Sequence, residues 1–515
     1  MPLADWMAIS VAVLVLLSST GGSASQVLFQ QNGSAIPQFS SQALFYGDAN
    51  SINYPESTLR YIRVLLDDRT NTLHVVGWYF RELEGTGTKK LLHFVLRPDK
   101  KPSMITVSET GEPTPPLHLF LYPRGGIRII WSVATRSFET ALSRTLYEYI
   151  WREDETVSFN SLPAFPFGLT TSTILQDASG GLCIVSFETT PIDEANSFFN
   201  VRYLSEISTE WIEKRFPATM VSSLFKFAIY DAIISQNGTI SVLLHCGDVI
   251  GAIWVDYLLF VQFSNESLTI LKQDAPTDVL IHNVRMLLFP DNSIALVANM
   301  NNLLYGGKFD VAGLSFEPFD LPDSSSYVSE FKCAIDPNNH TVIAFVAHSE
   351  KYEEPGILSI LQEIGDNEWQ RYPIDKLHRV FSIWETREGW MDAWSGREGY
   401  SNFALDASAA VPILALASIP SSEELNALEV KQKRVCSLYV AQDASHSLSY
   451  EFMPLMKDLD RTSGGTPLKI ADWAILFLGC LAIIGVGSIL ILIRRRSMDM
   501  QKSSAKLLEP TDNGK

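Results

Sequence analysis

The chain has 515 residues, 46% of them hydrophobic and 19% charged, and a formal net charge of −18. An acidic surface with no Lys/Arg stripe repels a phosphate backbone, which excludes nucleic acid as a partner. About 440 residues between the terminal segments exceed one ordinary globular core, yet no clear linker divides them.

Residues 1–25 contain an apolar run, Met7 to Leu17, that is too short to span a bilayer comfortably. Ser23 and Ser25 follow as small side chains before a cut at Gln26, so the pattern predicts a cleaved signal peptide, although Asp5 stands where Lys or Arg is usual. Residues 26–460 are then predicted as one lumenal or extracellular domain carrying sequons at Asn32, Asn237, Asn265 and Asn339. Cys183, Cys246, Cys333 and Cys436 fall in the same region, and four cysteines allow two disulfides in any of three pairings, against the alternative of buried free thiols.

A recurring unit follows. Apolar strands flank polar turns in "YIRVLLDDRTNTLHVVGWY", "LHLFLYPRGGIRIIWSV", "STILQDASGGLCIVSFE", "YDAIISQNGTISVLLHC", "RMLLFPDNSIALVANM" and "KCAIDPNNHTVIAFVAH". The turns centre near 70, 124, 178, 237, 292 and 338, at spacings of 54, 54, 59, 55 and 46. Gly and Asn in these turns permit positive φ, while the β-branched and aromatic flanks favour strands. Third strands such as "TLYEYIWRE" and "YLLFVQFS", and weaker fourth ones ending before Pro, complete a four-stranded unit of about 50 residues, the size of a β-propeller blade.

Further turns are predicted near 387 and 443, which makes eight candidate hairpins. The expected fold is all-β, a seven-bladed propeller with eight blades as the alternative, and "SQALFYGD" near the N-terminus is available to close the last blade. A two-domain β-sandwich is the rival. The letter motifs of particular propeller families are missing.

Chemistry is sparse in the sequence. The nine histidines form no ligand pair, and hydrolase elbows, zinc motifs and nucleotide loops are absent, so no metal and no cofactor is expected and enzymatic activity is disfavoured. The densest patch is "WETREGWMDAWSGREGY", where Trp384, Trp390 and Trp394 offer faces for sugar or peptide and Glu385, Asp392 and Arg397 offer directional hydrogen bonds. Asp67 and Asp68 supply too few oxygens for calcium, and Glu153, Asp154 and Glu155 read as a solvated loop. Tyr230 and Asp231 stand where they can line an inner surface.

Residues 461–470 are predicted as a juxtamembrane linker and 471–493 as a transmembrane helix, since 21 uncharged residues from Trp473 to Ile493 end at three arginines. Residues 494–515 would be a cytoplasmic tail, which gives a single-pass type I glycoprotein of the cell surface or secretory pathway with the lipid bilayer as a partner. The leading functional expectation is a membrane-tethered recognition or adhesion protein that binds a protein or glycan through propeller loops. A scaffold or assembly subunit held to another membrane protein comes second, and a membrane-bound glycoside hydrolase third.

Overall fold

Polar turns between apolar strands set the repeat. Six turns begin on Asp67, Tyr122, Asp177, Ser235, Phe289 and Asp336, whose carbonyls accept a hydrogen bond from the backbone N–H three residues on at 2.9–3.3 Å. In five of them the fourth residue is Gly125, Gly180, Gly238, Asn292 or Asn339, with φ between 66° and 95°. Glycine adopts this left-handed conformation freely and asparagine tolerates it, which produces a tight hairpin matched to the strand twist. Where the first residue is Asp, its carboxylate secures the turn: Asp177 Oδ1 accepts from Ser179 N at 2.9 Å and Gly181 N at 2.8 Å, and Asp336 Oδ1 from Asn338 N at 2.9 Å and His340 N at 2.8 Å.

The structure is a computed structural model that describes residues between 39 and 456 apart from connecting segments, of which those of eight residues or more are 50–57, 164–171, 189–197, 218–225, 319–326 and 381–402. The described strands form seven sheets. β1 (Phe39–Asp48) comes first in the chain but belongs to the last sheet. Blade 1 is β2 (Leu59–Asp67), β3 (Thr72–Leu83), β4 (Thr86–Leu96) and β5 (Ser103–Ser108). Blade 2 is β6 (Glu112–Leu121), β7 (Ile127–Thr135), β8 (Ser143–Trp151) and β9 (Val157–Ser161). Blade 3 is β10 (Ser172–Gln176), β11 (Leu182–Glu188), β12 (Phe198–Leu204) and β13 (Ile212–Pro217). Blade 4 is β14 (Lys226–Ile234), β15 (Ile240–Ile250), β16 (Ile253–Ser264) and β17 (Ser267–Asp274). Blade 5 is β18 (Ile281–Leu288), β19 (Ile294–Met300), β20 (Leu303–Asp310) and β21 (Gly313–Pro318). Blade 6 is β22 (Tyr327–Ile335), β23 (Thr341–His348), β24 (Gly356–Gly365) and β25 (Glu368–Tyr372), with β26 (Arg379–Val380) paired to β24.

Blade 7 joins the two ends of the propeller. β27 (Phe403–Asp406), β28 (Ile413–Ser418) and β29 (Val435–Asp443) come from the C-terminal side, and β1 pairs antiparallel with β29 from Phe39↔Asp443 to Asp48↔Val435. β30 (Leu455–Met456) runs parallel along the other side of β1. The first strands of the blades, β2, β6, β10, β14, β18, β22 and β27, neighbour one another in sequence, and β27 returns to β2, so the ring is closed around a central channel. A seven-bladed β-propeller results, with no open seam between its first and last blades.

Each seam between blades is a strip of core. Phe45 of β1 packs edge-on to Tyr79, its ring centroid 5.9 Å away, and against Phe94 at 5.4 Å, which ties the N-terminal strand to blade 1. Burying one such side chain is worth about 1.5–3 kcal/mol. Polar bonds add direction across the seams. Asp406 Oδ2 accepts from Leu66 N at 2.6 Å between blades 7 and 1, and Asn299 donates to Val328 O at 2.7 Å between blades 5 and 6. Residues 422–433 and 460–515 belong to a second unit, of which α1 (Ser422–Ala427) is described.

Several expectations are corrected. Among the described residues no helix is long and apolar enough to cross a membrane, α1 having six residues, and the segment 471–493 lies outside them, as does 1–25. The transmembrane helix, the type I topology, the surface or secretory-pathway localisation and the bilayer as partner are therefore withdrawn. The expected disulfides are corrected too: Cys183, Cys333 and Cys436 are free thiols on blades 3, 6 and 7, and the side chain of Cys246 lies outside the description. Burial pushes the Cys183 and Cys333 thiols up to about 12, and the Cys436 thiol donates to Gly47 O at 3.3 Å. The turn expected near 443 is no hairpin either, because β1 lies between β29 and β30.

Candidate functional site

The hairpin turns give the inner strands a common register. Counting back four residues from the first turn residue of each blade reaches Arg63, His118, Thr173, Asp231, Arg285 and Lys332, one on each of six inner strands. The same step from Asp406 reaches position 402, outside the described residues. Strand alternation makes these positions equivalent around the ring. Four of the six are charged, in strands that are otherwise mostly apolar.

The charged members meet in pairs. Arg285 Nη1 lies 3.6 Å from Asp231 Oδ1 and donates to Tyr230 O at 3.4 Å, while Asp231 Oδ2 accepts from Met286 N at 2.7 Å. Asp231 is held twice over, by an ion pair and by the backbone of the next blade. Lys332 Nζ lies 3.2 Å from Oε1 of Glu330, two residues earlier on β22, and 5.8 Å from the ring centroid of Phe403. The other Glu330 oxygen, Oε2, is buried with no hydrogen-bond partner among the described residues.

Electrostatics links the strands. Burial is the largest influence on Lys332 and holds its ammonium down to about 8; Glu330 pulls upward, and the positive charges of Arg285 and Arg63 push further down. Lys332 on blade 6 thus senses guanidinium groups on blades 5 and 1, and the three cations share one region with two carboxylates. Side-chain exposures of 17% for Lys332, 13% for Arg285 and 8% for Glu330 show groups withdrawn from bulk water but still reachable. Withdrawing charges from water costs several kcal/mol each unless they are well paired, and apolar residues would close a channel more stably. An amine titrating near neutrality beside guanidinium groups and carboxylates is equipped to bind an anion and to move a proton.

Other residues singled out in the sequence are dispersed. Trp384, Glu385, Trp390, Asp392, Trp394 and Arg397 all fall within 381–402, outside the described residues, as do Asn32 and Asn265. Asn237 and Asn339 stand exposed at the hairpin tips of blades 4 and 6. Asp67 is engaged by Arg69 at 3.0 Å, and the Tyr230 hydroxyl donates to Ile281 O at 2.8 Å. Arg63, Arg285, Glu330 and Lys332 went unremarked in the sequence. The signal for Arg63, Arg285 and Lys332 was a charged residue at one register position before four of the six turns, visible only once the turns are aligned on their first residue; Glu330, two positions earlier, carried no such signal.

A second polar cluster lies in the seam between blades 1 and 2. His74 Nδ1 and His93 Nε2 are 3.0 Å apart, and both rings are fully buried against Trp151. The second nitrogen of each ring and the Tyr149 hydroxyl have no hydrogen-bond partner among the described residues. Burial, then the charge of Arg97, lowers His74 to about 3; burial also takes His93 well below its usual value and pushes Tyr149 up to about 12.

No protein-family model and no curated protein matches the sequence. Among solved structures, an α-L-arabinanase of Penicillium chrysogenum complexed with arabinobiose is similar at 10% identity over 79% of this chain and 99% of that one, with a TM-score of 0.38. An α-L-arabinofuranosidase of Fusarium graminearum with arabinobiose gives 10% identity over 78% and 96%, with a TM-score of 0.37. AofleA of Arthrobotrys oligospora gives 9% identity over 69% and 95%, also with a TM-score of 0.37. Likeness at this level carries no chemistry across, so the site stands on its own residues.

Two functional expectations are corrected by these findings. The membrane-tethered adhesion reading is withdrawn: among the described residues no helix is long and apolar enough to cross a membrane, and the ionisable groups gather on the inner strands rather than on the loops. The expectation against enzymatic activity rested on missing linear motifs. The inner-strand ring assembles acid–base groups from separate blades, which no linear motif can register.

Proposed function

We propose that the protein is a carbohydrate-active β-propeller whose channel takes a saccharide bearing a carboxylate and cleaves it by β-elimination. In this reading Arg63 and Arg285 neutralise the substrate carboxylate, which acidifies the C–H next to it. Lys332, as the free amine, removes that proton. The C–H electrons form a carbon–carbon double bond, the C–O bond at the neighbouring carbon breaks, and the ammonium returns its proton to the leaving oxygen. Glu330 orients Lys332, and Asp231 orients Arg285. The observation that supports this most is the lysine held down to about 8 among guanidinium groups, since an ordinary lysine is fully protonated near neutral pH and an ordinary site for a neutral sugar needs no such cations.

The buried Oε2 of Glu330, which has no hydrogen-bond partner among the described residues, favours a second reading, in which Glu330 activates water for hydrolysis of the same bond. The product separates the two. Incubating the full chain with uronate-containing polysaccharides and recording ultraviolet absorbance and product mass tests them together: elimination yields a conjugated double bond and no added water, whereas hydrolysis yields a product heavier by one water. Absence of any cleaved product across such polysaccharides sinks both readings.

A further inference from the structure

A cavity of about 270 Å³ opens at the seam between blades 1 and 2, beside the β2–β3 hairpin turn. Thr70 from the β2–β3 turn, Thr72 at the start of β3, Arg97 and Lys100 from the β4–β5 connection, Trp151 at the end of β8 and Glu153 just beyond it line the cavity. The Thr70 hydroxyl donates to that of Thr72 at 2.9 Å, and the Arg97 guanidinium stands over the Trp151 ring, 5.4 Å from its centroid. Among the described residues both cations on this wall meet Glu155: its Oε1 accepts from Arg97 Nη1 at 2.7 Å and lies 3.6 Å from Lys100 Nζ. Glu155 reaches them from the β8–β9 turn, where its backbone sits at φ 65°. A side chain other than Gly, Asn or Asp seldom occupies that conformation without compensation. Its carboxyl is 58% exposed, and the hydrogen bond from Arg97 lowers its pKa, as befits a permanent anion on a cationic wall.

We infer that this cavity is a binding site for a small oxyanion-bearing ligand about the size of one sugar ring, and that Glu155 is its built-in competitor. A ligand carboxylate or phosphate takes the place of the Glu155 carboxylate on Arg97 and Lys100, while the half-buried Thr70 hydroxyl receives the ring. Glu155 is exposed and carried by a turn, so it swings out into water at little cost, whereas Arg97 is 20% exposed and braced by Trp151. The site is independent of the channel and of any reaction there.

Calorimetric titration of the full chain carrying Arg63→Gln and Arg285→Gln, which removes the channel's carboxylate-binding cations, with glucuronate, glucose 6-phosphate and glucose is the test. Glucuronate and glucose 6-phosphate are expected to bind and glucose not to. Glu155→Gln is expected to tighten binding about tenfold, because the competing charge is gone, and Lys100→Gln to weaken it by a similar factor. Arg97→Gln is expected to abolish it, with thermal unfolding recorded alongside. The gain in Glu155→Gln cannot come from misfolding. Unchanged affinity in Glu155→Gln, equal binding of glucose, or full binding in Lys100→Gln each overturns the inference.

Discussion

His74 and His93 in the seam and the charged ring in the channel are both buried clusters of titratable groups, yet one is neutral and the other ionic. The histidines are fully enclosed between Trp151 and Tyr149, so water cannot repay a charge and the neutral forms prevail. Asp231, Arg285, Glu330 and Lys332 keep between 8% and 17% of their side chains exposed and lie in opposite-charge pairs. There burial holds Lys332 down to about 8 while Glu330 pulls it upward. Enclosure decides which kind of chemistry a buried cluster keeps. A sealed pair can only register acid through stability, whereas a half-open ring can exchange protons with a ligand.

The widest separation between the two regions is expected in activity. Lys332→Met is predicted to lower kcat by about 10²–10⁴-fold while leaving the fold intact, and Lys332→Arg not to restore it, since arginine stays protonated. Turnover on a uronate polysaccharide, with circular dichroism as control, checks this. Replacing both histidines by Phe and Leu is expected to leave kcat unchanged.

Closure of the ring comes next. Asp406→Ala removes the acceptor from Leu66 N and Ser408 N and is expected to destabilise the propeller by about 1–3 kcal/mol, read from urea unfolding.

Acid separates the regions in a different way. Both histidines have folded pKa values below the unfolded 6.5, so below that pH the unfolded chain binds more protons and stability falls with pH, down to about 3 for His74. The slope is at most about 1.4 kcal/mol per pH unit for each histidine. Unfolding midpoints between pH 7 and 5 should therefore drop in the wild type and drop less in the double histidine variant.

The smallest effect is expected at the alkaline end. As pH rises through about 8, Lys332 loses its charge and the ring one positive charge, so affinity for a uronate oligosaccharide should fall a few-fold. Lys332 is also easier to bury once neutral, so its contribution to stability should improve between pH 8 and its usual 10.5.

Much of the architecture was legible because the turns carry their own constraint. The turns near 70, 124, 178, 237, 292 and 338 open the blades as read, and in the last five Gly125, Gly180, Gly238, Asn292 and Asn339 mark the left-handed position. The strand "SQALFYGD" lies within β1 and closes blade 7. The seventh hairpin, β27 to β28, was missed because "FALDASAAVPILALAS" is rich in alanine and lacks the Gly or Asn signal. Of the ring, only Asp231 was noticed beforehand, as an inner-surface residue. Lys332 and Arg63 are 269 positions apart in the chain, and nothing in either neighbourhood says that they share a channel. Glu155 read as part of a solvated loop, and only the fold shows it seated on Arg97.

The most direct test is to titrate a uronate oligosaccharide and its carboxyl-reduced counterpart into the full chain, side by side with the Arg63→Gln and Arg285→Gln variants. The account predicts binding of the acidic sugar alone, weakened at least tenfold in each variant and by added salt. Equal binding of the neutral sugar, or affinity untouched by both substitutions, would contradict it.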